Sequence, residues 1–422
     1  MLRIFHSDCR DTLKHKSLHW ADSFSTACFF DSNQYADPYS AFDLFIATGV
    51  KKELIHTGKG SFNELDSFLA ENKSYVLGYL SYDLKNDSED LVSNNLDHLK
   101  FPEFHFFIPE TIILIKGNEV HIESEQPEEI WRAINEFELS NIESADQKSK
   151  IQSRFSRGEY LDTVKAIQKH IQRGDIYEIN FCQEFYAENT SINPLEIFSK
   201  LNKLSPTPFA SYFKSDGLYV LSASPERFLS RRGSKIISQP IKGTSSRKTN
   251  AIQDENQKRA LLENEKERSE NVMIVDLVRN DLTKSAKEGT VKVEELFGLY
   301  SFKQVHQMIS TVVCEAKESL SNPQIISNTF PMGSMTGAPK ISAMQLAEKY
   351  ERSKRGVYSG ALGYFAPNGD FDFNVVIRTI LYNENSKYLS FHVGSAITLD
   401  SDPEKEYEEC ILKGKAITEV LS

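Results

Sequence analysis

The sequence predicts a mixed α/β fold in which antiparallel strands predominate. Segments rich in β-branched and aromatic residues, which are typical of strands, follow one another irregularly between two long helical patterns, whereas a doubly wound sheet requires regular alternation of strand and helix. The stretch TIILI, followed by Lys116-Gly117-Asn118 and EVHIE, is typical of a β-hairpin. The sequence also contains neither G-x-G-x-x-G nor a P-loop, so a doubly wound sheet is disfavoured.

The polar run at residues 140–153 is the one stretch that suggests a hinge, and it predicts two regions. Residues 1–145 form a β-rich N-terminal region with strand-like segments such as Ser74–Leu84. We expect this region to be a lid or a partner layer for the second region, residues 146–422.

Helices and strands are predicted in turn along the second region. A capping-box pattern at Ser156–Glu159, followed by apolar residues at helical spacing, predicts a helix over Gly158–Arg173. Two more helical patterns cover Asp254–Lys284 and Pro339–Arg352, the latter with proline in its first turn. The predicted strands are Gly217–Ser222, Lys235–Ser238, Tyr358–Phe365, Phe371–Tyr382 and Lys387–Ile397.

Composition excludes several classes of function. With 422 residues, 40% of them hydrophobic and 26% charged, the chain has the balance of a globular protein. A net charge of −11 makes nucleic acid a poor candidate partner. No apolar run approaches the roughly 20 residues of a membrane span, and the first 25 residues lack the apolar segment of a secretion signal, so we expect a cytoplasmic protein without a membrane partner. The five cysteines are far apart and are expected to be reduced structural thiols.

Two pairs of acidic residues are spaced so that each pair lies on one face of a helix. Glu267 and Glu270 are three residues apart in KERSEN, and Glu406 and Glu409 are three apart in EKEYEEC. Two such faces brought together would form a cage of the hard oxygen ligands that Mg²⁺ prefers, whereas each pair alone is typical of a solvated helix face. The strongly apolar run after Glu270 indicates that the first helix enters the core and can carry its acids into a cleft.

Lys242 lies between Pro240 and Gly243 at the end of a predicted strand. Proline fixes φ and glycine permits unusual φ, so the ammonium group is held in a defined direction. Near other cations or in an apolar pocket such a lysine can lose its proton and act as a nucleophile or base; the alternative is a surface lysine in a loop. Glu226, which follows a strand through a proline turn, is a candidate general acid or an ion-pair partner of Arg227 or Lys242.

Five segments, in order, resemble motifs of the chorismate-utilising enzymes, a family that includes anthranilate, isochorismate, salicylate and aminodeoxychorismate synthases. The segments are PIKGT (240–244), ENVMIVDLVRND (270–281), GSMTGAPK (333–340), YSGALGYF (358–365) and GSAITLDSDPEKEYEE (394–409). The similarity runs from Phe155 to the C-terminus, so residues 146–422 are expected to be the chorismate-binding catalytic region. It implies a large sandwich of two antiparallel sheets flanked by helices, with the active site at one end.

The residue after Pro-Ile separates members of this family, and here it is Lys242. It implies the aminodeoxychorismate synthase branch, of the transaminase class, in which lysine attacks C2 of chorismate while Glu226 protonates the departing C4 hydroxyl, and ammonia then attacks C4. The product is 4-amino-4-deoxychorismate, the precursor of para-aminobenzoate and folate. Members that add water at C2 use a lysine base at the position of Glu178, where a carboxylate cannot substitute. The alternatives are anthranilate synthase component I and a non-catalytic chorismate-binding paralogue.

The resemblance also implies roles for the remaining site residues. The four acidic residues Glu267, Glu270, Glu406 and Glu409 would surround a Mg²⁺ ion that bridges Glu270 and Glu409 to the C1 carboxylate of chorismate. Tyr358 and Arg378 are implied to bind the enolpyruvyl carboxylate, and backbone amides near Gly394 and Ser395, together with Lys413, are implied to complete the anion site. Ser334 and Thr244, from the GSMTGAPK and PIKGT segments, are further substrate-binding candidates.

Two positions depart from the family pattern. Gln307 stands where the family usually has a histidine, and His306 is one residue early, which on a strand places it on the opposite face. The segment CFFDS at 28–32 replaces the LLES-like motif of the tryptophan feedback site, so feedback by tryptophan is not expected.

The ammonia source is expected to lie outside this sequence. None of the five cysteines occurs in a G-x-C-x-G setting typical of a glutaminase nucleophile. We therefore expect ammonia to come from solution or from a separate glutaminase subunit.

Overall fold

The computed structural model describes residues 1–139 and 149–422. The strands are β1 (Leu2–His6), β2 (Thr26–Asp31), β3 (Leu44–Thr48), β4 (Lys52–His56), β5 (Val76–Leu80), β6 (Phe104–Ile108), β7 (Thr111–Lys116), β8 (Glu119–Glu123), β9 (Gln152–Ser153), β10 (Glu178–Ala187), β11 (Phe209–Ser215), β12 (Leu218–Ser224), β13 (Arg227–Arg232), β14 (Lys235–Gln239), β15 (Ile241–Ser246), β16 (Lys292–Ser301), β17 (Val305–Glu315), β18 (Gly337–Ala338), β19 (Ala361–Phe365), β20 (Phe371–Val375), β21 (Thr379–Asn383) and β22 (Tyr388–Ile397). The helices are α1 (Arg10–Asp22), α2 (Ser61–Glu71), α3 (Lys85–Ser88), α4 (Pro127–Glu136), α5 (Arg157–Arg173), α6 (Pro194–Leu204), α7 (Ala251–Glu263), α8 (Glu265–Ser285), α9 (Asn322–Thr329), α10 (Lys340–Tyr350) and α11 (Pro403–Leu421).

The strands form two large antiparallel sheets. Sheet I follows the order β1-β8-β7-β3-β2-β11-β12-β21-β22-β10-β18, with β9 also paired to β10. Sheet II follows the order β15-β17-β14-β13-β20-β19-β5-β6-β4, with β16 also paired to β17. Helices flank both sheets, so the predicted mixed fold and the implied sandwich are confirmed.

Strand β2 shows why sheet I is covered on both faces. Successive side chains of a strand point to opposite faces, and every residue of β2 is buried. Cys28 and Phe30 belong to a core cluster shared with Phe106 of sheet II. Phe29 belongs instead to a second cluster, where its ring lies 6.2 Å from that of Phe198 in α6. Sheet I is therefore buried between sheet II and a layer of helices.

Strands from both predicted regions contribute to each sheet. In sheet I, β2 pairs with β11, and in sheet II, β5 pairs with β19. The N-terminal region is therefore not a lid, because its strands are hydrogen-bonded inside both sheets. The boundary predicted between residues 145 and 146 lies outside the described residues.

Several predicted elements are confirmed and three are corrected. Helix α5 has the predicted capping box at Ser156, and the hairpin of β7 and β8 turns at Gly117. The helix predicted over Asp254–Lys284 is two helices, because the backbone of Asn264 is extended (φ −70°, ψ 111°). The strand predicted over Phe371–Tyr382 is interrupted between β20 and β21, where Arg378 has a φ of +50°.

A third correction concerns the strand predicted to begin at Tyr358. It begins at Ala361, after a buried turn in which Ser359 has a φ of +61°. None of the helices in residues 1–139 and 149–422 combines the length and apolar character needed to cross a membrane.

Candidate active site

A cleft of about 2130 Å³ lies where the ends of the two sheets meet two helices. Strands β10 and β22 of sheet I and β15 and β17 of sheet II supply walls, and α8 and α11 supply the acidic side chains. Of the residues predicted from the sequence, those lining the cleft are Glu226, Lys242, Thr244, Glu267, Glu270, Ser334, Tyr358, Arg378, Gly394, Glu406, Glu409 and Lys413. The fold therefore brings together residues that lie up to 187 positions apart, as Glu226 and Lys413 do.

Lys242 lies on β15 with its ammonium group in the cleft. Gly243 beside it has a φ of +97°, and a Cβ there would lie 3.2 Å from Glu267 Oε2, so glycine is required at this bend. Lys242 Nζ donates a hydrogen bond of 2.8 Å to Glu178 Oε1. The lysine side chain is 12% exposed and that of Glu178 is 2% exposed, so this is a buried ion pair.

Carboxylates, not cations, surround this lysine. Burial by itself would lower the pKa of Lys242, but Glu178, Glu270 and Glu226 outweigh burial and raise it. Neighbouring cations or an apolar pocket, the surroundings in which such a lysine loses its proton, are therefore not what the described residues provide around Lys242. Lys242 carries its proton until an acceptor takes it.

Glu226 has the environment of a general acid. It follows β12, is 4% exposed, and accepts a hydrogen bond of 2.6 Å from Ser334 Oγ. Burial raises the pKa of Glu226 to about 7, against the opposing effects of Ser334 and Lys242. Arg227 does not pair with it, because that guanidinium binds Asp372 at 2.9 Å on the other side of the strand.

The predicted acidic pairs lie on α8 and α11 and face the same cleft. Asn264 ends α7 and caps α8, and its side chain accepts a hydrogen bond of 3.1 Å from the backbone N–H of Glu267. This cap fixes the first turn of α8 and so orients Glu267 and Glu270. On α11, Asp402 is the corresponding cap ahead of Glu406 and Glu409.

Lys266 lies among these carboxylates. Its Nζ is 3.5 Å from Glu406 Oε1 and 3.7 Å from Glu270 Oε1. Burial raises the pKa of Glu270 to about 7 and, followed by the charge of Glu409, also raises that of Glu267. The pKa of Glu409 is lowered, chiefly by Lys413 at 2.7 Å. The cleft thus holds more carboxylates than its lysines neutralise at close range.

The donor set suits a hard divalent cation. Within residues 1–139 and 149–422 no three metal-ligating side chains converge closely enough to form a finished ion site. The four acidic residues nevertheless share one cleft and offer only carboxylate oxygens, the donors that Mg²⁺ prefers. Waters and an anionic substrate would have to complete such a coordination shell.

Arg378 is the guanidinium available to an anion. It lies at the interruption between β20 and β21 with a left-handed backbone, a conformation that costs free energy for a residue with a Cβ. Within the described parts of the chain, its side chain makes no hydrogen bond or ion pair, and burial lowers its pKa despite the charge of Glu226. A half-buried and unpaired guanidinium at the cleft is suited to bind a carboxylate.

Tyr358 lines the same cleft as Arg378. The ring of Tyr358 stacks on His392 with centroids 5.0 Å apart, and its hydroxyl lies 3.8 Å from Cys182 Sγ. Burial raises the pKa of Tyr358 well above its ordinary value and lowers that of His392 to about 4, so both are neutral near pH 7.

The anion site predicted from the backbone amides near Gly394 and Ser395 and from Lys413 lies where β22 meets α11, and it stays a prediction. Lys413 donates a hydrogen bond of 3.1 Å to the carbonyl oxygen of Gly394. A Cβ at Gly394 would lie 2.6 Å from Cys182 Sγ, so the strand needs glycine here. The side chain of Ser395 is buried behind the cleft, where its hydroxyl lies 3.3 Å from Tyr160 Oη.

The geometry separates Gln307 from His306 as expected for neighbours on a strand. Gln307 lines the cleft, and its buried Oε1 has no hydrogen-bond partner among the described residues. His306 points to the other face, where Nε2 contacts Asp254 at 3.0 Å and Nδ1 contacts Ser301 at 2.8 Å. His306 therefore does not take the place of the family histidine.

Four cleft residues were not predicted to act there. They are Glu178, Asn180, Lys266 and His392. By sequence, Glu178 is only a carboxylate that cannot replace a lysine base, and Asn180 lies two residues further along the same strand. Lys266 directly precedes an acidic pair, as many surface lysines do. Only pairing of β10 with β22 and packing of α8 against β15 bring them into one cleft.

The segment at 28–32 lies away from this cleft. Phe30, Asp31 and Ser32 line a separate cavity of about 520 Å³ together with Arg227. The expected lack of tryptophan feedback stays a prediction.

Comparison with known proteins places these features in context. A family model described as chorismate binding enzyme matches residues 25–419. Aminodeoxychorismate synthase component 1 of Bacillus subtilis is 30% identical over 362 residues, which are 82% of this chain and 76% of that protein. Anthranilate synthase component 1 of Aquifex aeolicus is also 30% identical, over 367 residues, 82% of this chain and 74% of that protein.

Two further comparisons bear on length and fold. An aminodeoxychorismate synthase of Streptomyces pristinaespiralis is 42% identical over 270 residues, 64% of this chain but only 37% of that protein. The crystal structure of anthranilate synthase component I from Streptococcus pneumoniae superposes with a TM-score of 0.78 at 24% identity, covering 91% of this chain and 93% of that one. The latter likeness shows a shared fold.

Proposed function

Because this chain belongs to the chorismate binding enzyme family, we propose that it is the synthase component of an aminodeoxychorismate synthase. It would convert chorismate and ammonia into 4-amino-4-deoxychorismate. The observation that carries this proposal is Lys242, an amine in the cleft that faces the substrate space together with the protonatable Glu226. Relatives named aminodeoxychorismate synthase support it, and relatives named anthranilate synthase make that activity the rival.

The proposed reaction has two substitutions that share one covalent intermediate. Lys242 Nζ, once deprotonated, forms a bond to C2 of chorismate, the ring double bonds shift, and the C4–O bond breaks. Glu226 donates its proton to the departing hydroxyl, which leaves as water. Ammonia then attacks C4, the double bonds shift back, and the C2–N bond to Lys242 breaks, so that water and 4-amino-4-deoxychorismate are the net products.

The remaining cleft residues orient the substrate. Arg378, unpaired within the described chain, and Tyr358, which lines the same cleft, would bind the enolpyruvyl carboxylate. Glu270 and Glu409, with Glu267 and Glu406 around them, would hold Mg²⁺ against the ring carboxylate. When bound, the ion would supply positive charge that orients the substrate and eases loss of the hydroxyl.

Lys242→Ala tests the proposal. Rapid quenching of the wild-type protein with chorismate and Mg²⁺, without ammonia, should give protein heavier by chorismate less one water in intact-mass analysis. In Lys242→Ala the adduct should disappear, and ammonia should gain access to C2, so that residual product shifts toward the 2-amino compound. Lys85→Ala is a matched control, because Lys85 is also buried but bonds Ser93 outside the cleft.

The rival activities give different results. Anthranilate synthase chemistry predicts no lysine adduct and a 2-amino product from the wild type. Recovery of 4-amino-4-deoxychorismate from Lys242→Ala at a near wild-type rate would remove the lysine from the mechanism. A non-catalytic paralogue would consume no chorismate at all.

A further inference from the structure

We infer that Glu178 is the proton acceptor that activates Lys242, so that the nucleophile is the buried Lys242–Glu178 pair and not an isolated lysine. This inference rests on the proposed function and adds a catalytic group to it. Glu178 is the first residue of β10, where its backbone pairs with Ala338 of β18. Its Oε1 lies 2.8 Å from Lys242 Nζ, in direct contact with the atom that reacts.

Glu178 is shielded from solvent, and the pair has no other close charged partner among the described residues. In the described chain, Glu178 is the only carboxylate within hydrogen-bond or ion-pair distance of Lys242, and Lys242 is the only cation at such a distance from Glu178. Glu178 is 2% exposed, so bulk water does not reach its carboxylate freely. Proton transfer within the pair needs no intervening water, because the two groups are in direct contact.

The chemistry requires an acceptor at this place. An ammonium group has no lone pair, so Lys242 must lose a proton before it attacks carbon. The carboxylates around it hold that proton on, which raises the pKa of the lysine in spite of burial. Glu226 cannot accept the proton, since it must itself be protonated to assist departure of the hydroxyl and it is bonded to Ser334.

Every group that gains or loses a proton during the reaction cycle is restored to its starting protonation state by the end. Glu178 takes one proton from Lys242 as the N–C2 bond forms, and Glu226 gives one proton to the leaving hydroxyl. When ammonia has attacked C4, the new C4 ammonium returns a proton to Glu226. Lysine leaves as a neutral amine and recovers its proton from Glu178, so both carboxyl groups and the lysine end as they began.

The pH dependence of adduct formation distinguishes proton transfer from simple positioning. The other titratable groups that face Lys242 are Glu226 from the turn between β12 and β13, Glu267 and Glu270 from α8, and Glu409 from α11. Their effects on the rate are common to the wild type and to Glu178→Gln, so the ratio of the two rates isolates Glu178. In the wild type, transfer of a proton from Lys242 to Glu178 leaves the number of protons bound to the protein unchanged. In Glu178→Gln, Lys242 must instead release its proton to solvent before it can react.

The test is single-turnover adduct formation with chorismate and Mg²⁺, without ammonia, followed by intact mass between pH 6.5 and 8.5. We expect Glu178→Gln to form the adduct roughly 10²–10⁴-fold more slowly at pH 7, the usual range for a general base. The ratio of wild-type to variant rate should then fall about tenfold for each unit of pH. Glu178→Asp should keep a wild-type pH dependence at a reduced rate.

Other results overturn the inference. A ratio of wild-type to Glu178→Gln rate that is constant with pH would show that Glu178 only positions Lys242. A Glu178→Gln variant that is as fast as the wild type or faster would show that Glu178 only restrains the ammonium group. If the wild type forms the adduct but the ratio is constant, the proposed function stands without this step. If the wild type makes neither adduct nor 4-amino-4-deoxychorismate, both fail.

A matched variant controls for loss of a buried carboxylate from the same strand. Glu184 also lies on β10, is 4% exposed, and binds Arg154 at 2.7 Å outside the cleft. Glu184→Gln should lower the thermal stability without changing the pH dependence of adduct formation. If Glu178→Gln does not fold, Glu178→Ala takes its place in the same pH series, because it also removes the acceptor. A ratio that falls about tenfold for each unit of pH then supports proton transfer, and a constant ratio contradicts it.

Discussion

At the scale of single residues, the cleft gives two carboxyl groups different nearest neighbours. Glu226 is buried beside the Ser334 hydroxyl. Its pKa is raised to about 7, so the protonated acid is available near neutral pH. Glu178 contacts an ammonium group directly at 2.8 Å. A proton donor and a proton acceptor can thus coexist in one cleft, because each has a different nearest neighbour.

Titration of Glu226 should control the first chemical step. Since its raised pKa favours the protonated acid below about pH 7, wild-type adduct formation without ammonia should fall as pH rises through that value. Glu226→Gln should be slow, by roughly 10²–10⁴-fold, and should lose this fall. Quenched-flow mass analysis over a pH series measures both effects.

Ser334→Ala provides a directional check on the same group. The Ser334 hydroxyl donates to Glu226 at 2.6 Å and favours the carboxylate, so its loss should move the fall in rate to higher pH. An unchanged midpoint, or one shifted to lower pH, would contradict the assignment of this titration to Glu226.

At the scale of elements, two helix starts determine where the acidic residues point. Asn264 ends one helix and caps the next, and Asp402 caps α11. Without the extended backbone at Asn264, residues of α7 and α8 would continue in one register, and Glu267 would occupy mid-helix instead of the third position of a first turn. The caps therefore decide which carboxylates share the cleft.

Removal of the cap on α8 should affect substrate binding as well as stability. Asn264→Ala should lower the free energy of unfolding by roughly 0.5–2 kcal/mol and raise the KM for chorismate, because Glu267 and Glu270 lose their fixed orientation. Asn250→Ala removes the equivalent cap of α7, which supplies no residue to the cleft, and should cost similar stability with an unchanged KM. Chemical denaturation measures the loss of stability in each variant, and steady-state kinetics measures the KM. Equal KM changes in both variants would mean that the cap has no particular role in the site.

The meeting of α8 and α11 predicts a requirement for Mg²⁺. Four carboxylates that face one cleft repel one another unless a cation is bound, and Lys266 reaches only Glu270 and Glu406 closely. Glu270→Gln or Glu409→Gln should lower turnover by orders of magnitude while circular dichroism shows a retained fold.

Acidic residues on the same helices outside the cleft serve as controls. Glu265→Gln on α8 and Glu404→Gln on α11 should leave turnover near that of the wild type, since neither side chain lines the cleft. Full activity in excess EDTA would exclude the requirement for the ion.

At the scale of the whole molecule, both sheets are built from strands that are distant in sequence. Strands β2 and β3 pair within sheet I beside β11, and β5 and β6 pair within sheet II beside β19. The cleft lies near the β10 end of sheet I and the β15 end of sheet II, so its shape depends on packing of the complete sandwich.

The molecule should depend on an external supply of ammonia. Four of the five cysteines are buried, and the exposed Cys9 lies ahead of α1, outside the cleft. The purified chain should therefore make 4-amino-4-deoxychorismate from ammonium salts at mildly alkaline pH, where free ammonia is available, and should ignore glutamine until a glutaminase subunit is added. Coupled assays for glutamate and for product measure this. Release of glutamate by the chain alone, at the rate of product formation, would contradict it.

The sequence by itself determined the class of fold and predicted the residues of the candidate site. Period-two segments and hairpin residues predicted antiparallel strands, and the capping box at Ser156 predicted α5, because these signals depend on neighbours along the chain. The spacing of Glu267 with Glu270 and of Glu406 with Glu409 placed each pair on one helix face for the same reason. The order of five motifs indicated Lys242, Glu226 and a chorismate site.

Only the tertiary structure decided what these groups contact. The pairing of Lys242 with Glu178, and the absence of a partner for Arg378 in the described chain, depend on strands and turns that meet across two sheets. The break at Asn264 was equally hidden, because helical propensity extends smoothly through it and the backbone turns there to fit α8 against β15. The protonation of a buried group depends on its neighbours in space, and sequence spacing does not carry that information.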